Sequence, residues 1–172
     1  MDRYDPGMEE GAQVVDARGW TLTPGFVDAH THACFAGWQA ERLLGGALRA
    51  AREDTVRRTR QVSEEYLAAR TRRFLDAFLS AGTTTAEIKS GYGLEPREEL
   101  KQLRAIASAA QGHPVQVVAT CLAASAIPPE YRDRRAAFLE RVERELLPEA
   151  AASRLARFCD VACHPGALQP EE

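Results

Sequence analysis

The chain has 172 residues, 45% of them hydrophobic and 27% charged, which is ordinary for a soluble globular protein with one core. Its formal net charge of −3 argues against a nucleic-acid or anionic-membrane surface, since both require a concentrated excess of positive charge. No stretch has the apolar length of a membrane helix, and Met1-Asp2-Arg3-Tyr4-Asp5-Pro6 lacks the regions of a secretion signal, so a cytoplasmic protein is expected.

Pro24-Gly25 punctuates the approach to a first strand over 26–33, where Phe26 and Val27 favour extended structure. Alternation on that strand predicts Asp28, His30 and His32 on one face and Val27, Ala29 and Thr31 on the other. From Gln39 to Val62 the pattern is weak and no element is assigned. Arg49, Arg52, Arg57, Arg58 and Arg60 cluster there, interrupted by Glu53 and Asp54, which suits a solvated helical face or the rim of an anionic ligand site better than a polyanion surface. Ser63 offers a helix cap, Glu64 and Glu65 suit the first turn, and Leu67, Phe74, Leu75, Phe78 and Leu79 repeat at helical spacing until Gly82. A β-branched strand from Thr83 to Ile88 then runs into the glycine-flanked loop Lys89-Ser90-Gly91-Tyr92-Gly93.

Pro96 suits a first helical turn, and Leu100, Leu103, Ile106 and Ala110 line one helical face before Gly112. A third strand spans 114–122. Beyond Pro128-Pro129 a helix carries Phe138, Leu139, Val142 and Leu146, with Pro148 ending or restarting it, and a fourth strand spans 157–163. Cys34, Cys121, Cys159 and Cys163 fall on or beside apolar runs, so reduced and mostly buried thiols are expected. Apolar strands separated by amphipathic helices imply an α/β fold, either a β/α barrel or a doubly wound sheet. A full eightfold barrel takes about 250 residues, so four strands amount to half of one. A nucleotide-binding doubly wound domain would need a Gly-x-Gly-x-x-Gly turn, and no predicted strand is followed by one.

Two imidazoles facing one space at the mouth of a barrel strand can supply two ligands to a divalent metal, leaving other strands to supply the rest; paired turn histidines are the plainer reading. The run Leu22-Thr23-Pro24-Gly25-Phe26-Val27-Asp28-Ala29-His30-Thr31-His32 resembles the opening strand of the metal-dependent amidohydrolase barrel. With Glu87-Ile88-Lys89-Ser90-Gly91-Tyr92-Gly93-Leu94, Ile127-Pro128-Pro129-Glu130-Tyr131 and Phe158-Cys159-Asp160-Val161, the chain resembles the imidazolonepropionase family of histidine degradation.

That resemblance implies a partial (β/α) TIM barrel of the metal-dependent hydrolase type, about its first half. Residues 1–22 would be a remnant of an N-terminal β domain and 23–172 the half-barrel. It implies hydrolysis of the cyclic amide 4-imidazolone-5-propanoate to N-formimino-L-glutamate, with one zinc or iron ion held by His30 and His32 and with Tyr92, Gln39 and Ser125 facing the substrate. The family has Arg where this chain has Gln39 and His where it has Ser125. A truncated, inactive relative that folds or assembles with partner chains, as a homo-oligomer or with a missing C-terminal half, is the alternative. His164 is read as a polar residue at a strand end or a replacement ligand, and His113 as lying at the wrong end of the barrel.

Overall fold

The computed structural model describes residues 11, 15–37, 48–164 and 167–171. Strands β1 (Phe26–Thr31), β2 (Thr83–Lys89), β3 (Gln116–Ala124) and β4 (Phe158–Val161) form one sheet in that order, with every neighbouring pair parallel. This order separates the two architectures left open above. A doubly wound sheet reverses direction at a switch point, whereas strands that advance in chain order bury one face under helices, as in part of a β/α barrel.

Between β1 and β2 lie α1 (Leu48–Gln61) and α2 (Glu64–Ser80); α3 (Pro96–Ala110) joins β2 to β3. The Ser63 side chain caps α2 by accepting from the Tyr66 amide at 3.2 Å, and Gly82, at φ +87°, turns the chain into β2. Leu67 and Leu75 of α2 and Leu103 and Ile106 of α3 are sealed against Ala86 and Ile88 of β2. Each such aliphatic contributes about 1.5–3 kcal/mol by leaving water. Leu79, placed on the same face by its spacing, is 38% exposed at the end of α2. Helix α1 escaped the sequence reading because its buried face is small and hydroxylated: Ala51, Thr55, Val56 and Thr59. Thr55 returns its hydroxyl to Ala51 O at 2.9 Å, and Thr59 Oγ1 accepts from the Ala36 amide at 3.0 Å.

The last crossover is α4 (Arg135–Arg141), a π turn at Val142–Leu146, and α5 (Leu147–Ala152). Pro148 has no amide to donate and its ring crowds the carbonyl four residues back, so a regular helix cannot pass through it unchanged. The wider π turn, with Leu147 N donating to Val142 O, carries the helix past this point. It also keeps Phe138, Val142, Leu146 and Ala150 buried at four-residue spacing.

The opposite face of the sheet has no helix over it among the described residues. Val27, Thr85, Glu87, Lys89, Val118 and Thr120 line a hollow of about 480 Å³ there. Lys89 Nζ, almost wholly buried, bridges Glu87 Oε1 and Asp160 Oδ2 at 2.9 Å each and so ties β2 to β4 across β3. Burial works to lower the Lys89 pKa, but the two carboxylates more than offset it and hold it above the ordinary lysine value; Lys89 in turn holds Asp160 below the ordinary aspartate value. Phe158 is 58% exposed and Val161 52%. Cys159 and Cys163 are also exposed, which corrects the expectation of mostly buried thiols: β4 is an edge strand, and only Cys34 and Cys121 are buried.

Helix α3 holds the loops at the strand ends. The Glu99 carboxylate, fully buried, accepts Gly91 N on Oε2 at 2.7 Å and Gly93 N and Leu94 N on Oε1 at 2.8 and 2.7 Å. Burial pushes the Glu99 pKa up, while the Ser90 hydroxyl and these amides pull it down. Gln102 Oε1 accepts Tyr92 N at 3.0 Å, and its Nε2 donates to Cys34 O at 2.5 Å, joining the loops after β2 and β1. Gly93 is required by contact: a Cβ there would lie 2.5 Å from the Glu99 backbone nitrogen.

Two predictions follow from these contacts. Glu99→Ala orphans three buried amides and is expected to lower the unfolding free energy by roughly 3 kcal/mol or more. Glu99→Gln, which keeps one accepting oxygen, should cost less. Denaturant titration checks the ranking; equal stability of all three proteins would refute the assignment. In the Lys89 triad, the contribution of Asp160 is present above the ordinary aspartate pKa of about 3.9 and is lost as pH falls through its lower folded value. That of Lys89 is present below about 10.4 and is lost as pH rises through its higher folded value. Asp160→Asn should therefore flatten the acid limb of stability against pH, measured by thermal melts between pH 2 and 5 (about two units around the carboxylate range).

Candidate metal and substrate site

The C-terminal ends of β1 and β2 bring His30, His32, Tyr92 and Phe35 together. The His30 and His32 rings lie 5.3 Å apart between centroids and are tilted by 60°. His32 meets the edge of Tyr92 at 5.8 Å, and Phe35 lies 5.9 Å from Tyr92 and stacks on Phe74 at 5.7 Å. The two imidazoles thus share one space as their spacing predicts, while the register of β1 breaks the alternation that would add Asp28 to them. Asp28 is level with Ala86 and Thr31 with Ile88, three residues of β1 advancing against two of β2. This bulge puts Asp28 out of phase with the histidines; its Oδ1 accepts the His30 amide at 3.3 Å. Thr31 closes the bulge by donating its hydroxyl to Glu87 O at 2.8 Å.

Burial, His30, Lys89 and Arg52 all lower the His32 pKa, with Glu87 opposing, so the neutral ring is favoured. Neutral imidazole is the form that binds metal. The donor chemistry fits a zinc- or iron-like ion through two nitrogens. Tetrahedral coordination needs further ligands, and no group of three or more His, Cys, Asp or Glu side chains suited to a metal occurs among the described residues.

The Tyr92 phenol is partly buried, which raises its pKa, while Arg52 acts in the opposite direction. Gly91, at φ +113°, turns the backbone into Tyr92 at a place where a Cβ would meet Leu122 Cδ2 at 2.8 Å. Ser125 lies beneath this loop, buried, and donates its hydroxyl to Gly91 O at 2.6 Å. Gln39, expected beside the substrate, lies outside the described residues. His113 is at the other end of the sheet, where its Nδ1 accepts Val115 N at 3.1 Å and its Nε2 lies 3.2 Å from Asp76 Oδ1. Cys34 and Cys121 are poor nucleophiles, because burial pushes each thiol up to about 12.

Sequence reading missed the residues that hold this mouth. Glu99 and Gln102 are polar positions on a helix whose apolar face is Leu103 and Ile106, and they pass for solvent-facing residues. The available signal was a carboxylate eight residues after Gly91, in the first turn of a helix that follows a glycine-flanked loop. Arg60, in sequence one member of a charged cluster, donates to Gly93 O at 2.6 Å and Leu94 O at 3.0 Å and pairs with Glu130 at 2.8 Å.

Comparison with known proteins identifies the family. Residues 21–168 match the model of the Amidohydrolase family. An imidazolonepropionase of Symbiobacterium thermophilum is 48% identical over 171 residues, covering 93% of this chain. One of Herpetosiphon aurantiacus is 47% identical over 175 residues and 91% of this chain, and one of Rubrobacter xylanophilus 45% over 179 residues and 98%. The chain spans 40% of the length of the first two relatives and 42% of the third. With a parallel sheet in sequential order, a histidine pair at its C-terminal end and a family match over most of its length, the chain belongs to the amidohydrolase family.

Proposed function

We propose that this chain forms the metal- and substrate-binding first half of an imidazolonepropionase-type hydrolase, whose reaction opens the cyclic amide 4-imidazolone-5-propanoate to N-formimino-L-glutamate. In this reading residues 1–22 are the remnant of an N-terminal β domain, residues 23–172 are half of a (β/α) TIM barrel, and the protein works in the cytoplasm. The observation that carries it is the convergence of His30, His32 and Tyr92 at the ends of adjacent strands. His30 and His32 would hold one zinc or iron ion, and the chemistry supplied there is Lewis-acid polarisation of a carbonyl and activation of water. Tyr92, fixed by Gln102 through its amide, offers its phenol to the substrate beside His32. Gln39 and Ser125 are assigned to the same substrate pocket, Ser125 at the base of the Tyr92 loop.

A second reading is favoured by the open sheet. Phe26 and Val27 on β1 and Phe158 and Val161 on β4 are each more than half exposed, and two imidazoles do not complete a tetrahedral site. Both edges and the hollow call for cover. On this reading the half-barrel is inactive by itself and acts, or merely assembles, with a second copy or with strands equivalent to the other half of a barrel.

Metal analysis with formiminoglutamate detection tests the first reading. His30→Ala and His32→Ala should each weaken zinc binding at least about tenfold, since even loss of an outer-sphere partner costs that much. Unchanged metal affinity in both variants would sink the site, and full metal loading without turnover would leave the inactive reading. Light scattering tests the second: oligomers are expected, and a stable monomer with a sharp thermal transition would contradict it.

A further inference from the structure

Thr31 is the one residue between the two imidazoles, and it is buried, while His30 on one side is exposed and His32 on the other is half-buried. It is held from β2 twice: its hydroxyl donates to Glu87 O at 2.8 Å and its amide to Glu87 Oε2 at 3.4 Å. The bulge gives these two bonds their weight. Between Asp28 and Thr31 the register of β1 slips against β2, and a bulge interrupts the regular ladder. The direction of the peptide that carries both rings therefore depends on what Thr31 is tied to.

Glu87 is in turn aimed. Its Oε1 accepts from Lys89 Nζ at 2.9 Å, and the same Nζ donates to Asp160 Oδ2 at 2.9 Å, while Asp160 Oδ1 accepts the Val161 amide at 2.8 Å. The Lys89 bond to Asp160 joins β2 to β4, but its bond to Glu87 joins no strands, since both residues belong to β2. What that bond does is fix the carboxylate whose other oxygen meets the Thr31 amide. The side chains of Lys89 and Glu87 are 8% and 12% exposed, so water competes little for a charge-assisted bond of this kind. A polar chain thus runs from Asp160 on β4 through Lys89 and Glu87 to the middle of the histidine pair on β1.

We propose that Thr31 and Glu87 are positioning residues for the histidine pair: Glu87, aimed by Lys89 and Asp160, pins the hydroxyl and amide of Thr31 and so turns both imidazoles toward one space. This deepens the hydrolase reading, because it names what keeps the two ligands of that reading together. The pinning itself is a property of the metal-free chain and can be measured there.

Proton NMR of the full chain after chelation of metal reads the geometry directly. With centroids 5.3 Å apart, the His30 and His32 rings should show mutual proton contacts in the parent. Thr31→Val keeps the shape of the side chain but removes its donor, and should abolish these contacts; Thr31→Ser, which keeps the hydroxyl, should restore them. Glu87→Ala should weaken them and speed hydrogen exchange at the Thr31 amide. Thr55→Val separates positioning from stability: it also removes a buried hydroxyl bond, the one to Ala51 O, and should lower the melting temperature while leaving the ring contacts intact. In zinc titrations against a chromophoric chelator, Thr31→Val should bind about tenfold more weakly than the parent, the loss seen when a partner behind a ligand is removed, and Thr31→Ser should recover most of that. Absence of ring contacts in the parent, full-strength contacts in Thr31→Val or Glu87→Ala, or their loss in Thr55→Val each overturns the proposal. A parent that binds no zinc, with ring contacts behaving as expected, sinks the hydrolase reading alone; a parent that binds zinc, with contacts unchanged in the variants, sinks this proposal alone.

Discussion

A carboxylate sealed from water must find donors, and Glu99 finds three in the backbone of the loop between β2 and α3. That requirement shapes the mouth. It curls Gly91, Gly93 and Leu94 around one point and leaves Tyr92 projecting, and its neighbours on α3 extend the hold. Gln102 joins the Tyr92 amide to the Cys34 carbonyl, so the loops after β2 and β1 cannot shift independently. Lys101 donates to the carbonyls of Thr59, Arg60 and Val62 at 3.1 Å each, closing the end of α1 against the same helix. One turn of α3 therefore positions three elements, and the apolar packing of Leu103 and Ile106 beneath it supplies the rigidity that this arrangement needs.

Charge is arranged differently at the two levels of the sheet. In the hollow, Lys89 is shared by Glu87 and Asp160, a cation with more acceptors than it can neutralise. At the mouth, burial favours the neutral form of His32, and the Nε atoms of Arg52 and Arg70 are closed off from water without a hydrogen-bond partner among the described residues. Deep charges are thus spent on joining strands, as Lys89 does, and on holding loops, as Glu99 does.

Features set by a residue and its near neighbours were legible in the sequence. The Ser63 cap, the Gly82 turn, Pro96 in a first helical turn and the break at Pro148 all reflect local backbone chemistry. The histidine pair was legible for the same reason, its two members being two residues apart. What escaped depends on partners distant in the chain. The bulge between Asp28 and Thr31 exists only relative to the register of β2, so alternation read from β1 alone misplaced Asp28. Helix α1 buries threonines and alanines, whose weak apolar contrast gives no helical stripe. Glu99 and Gln102 are polar side chains in core positions, and only the loops they hold explain them. Apolar neighbours imply buried thiols at Cys159 and Cys163, but an edge strand is covered only when something lies beside it.

The four thiols carry a consequence of their own. Cys34 and Cys121, buried and held in the unreactive protonated form, should be silent to an alkylating reagent in the folded protein. Cys159 and Cys163 stand on or beside the outermost strand, open to solvent. The chain thereby contains its own footprinting pair: any molecule that docks along that border shields two sulfurs, while unfolding unmasks the other two.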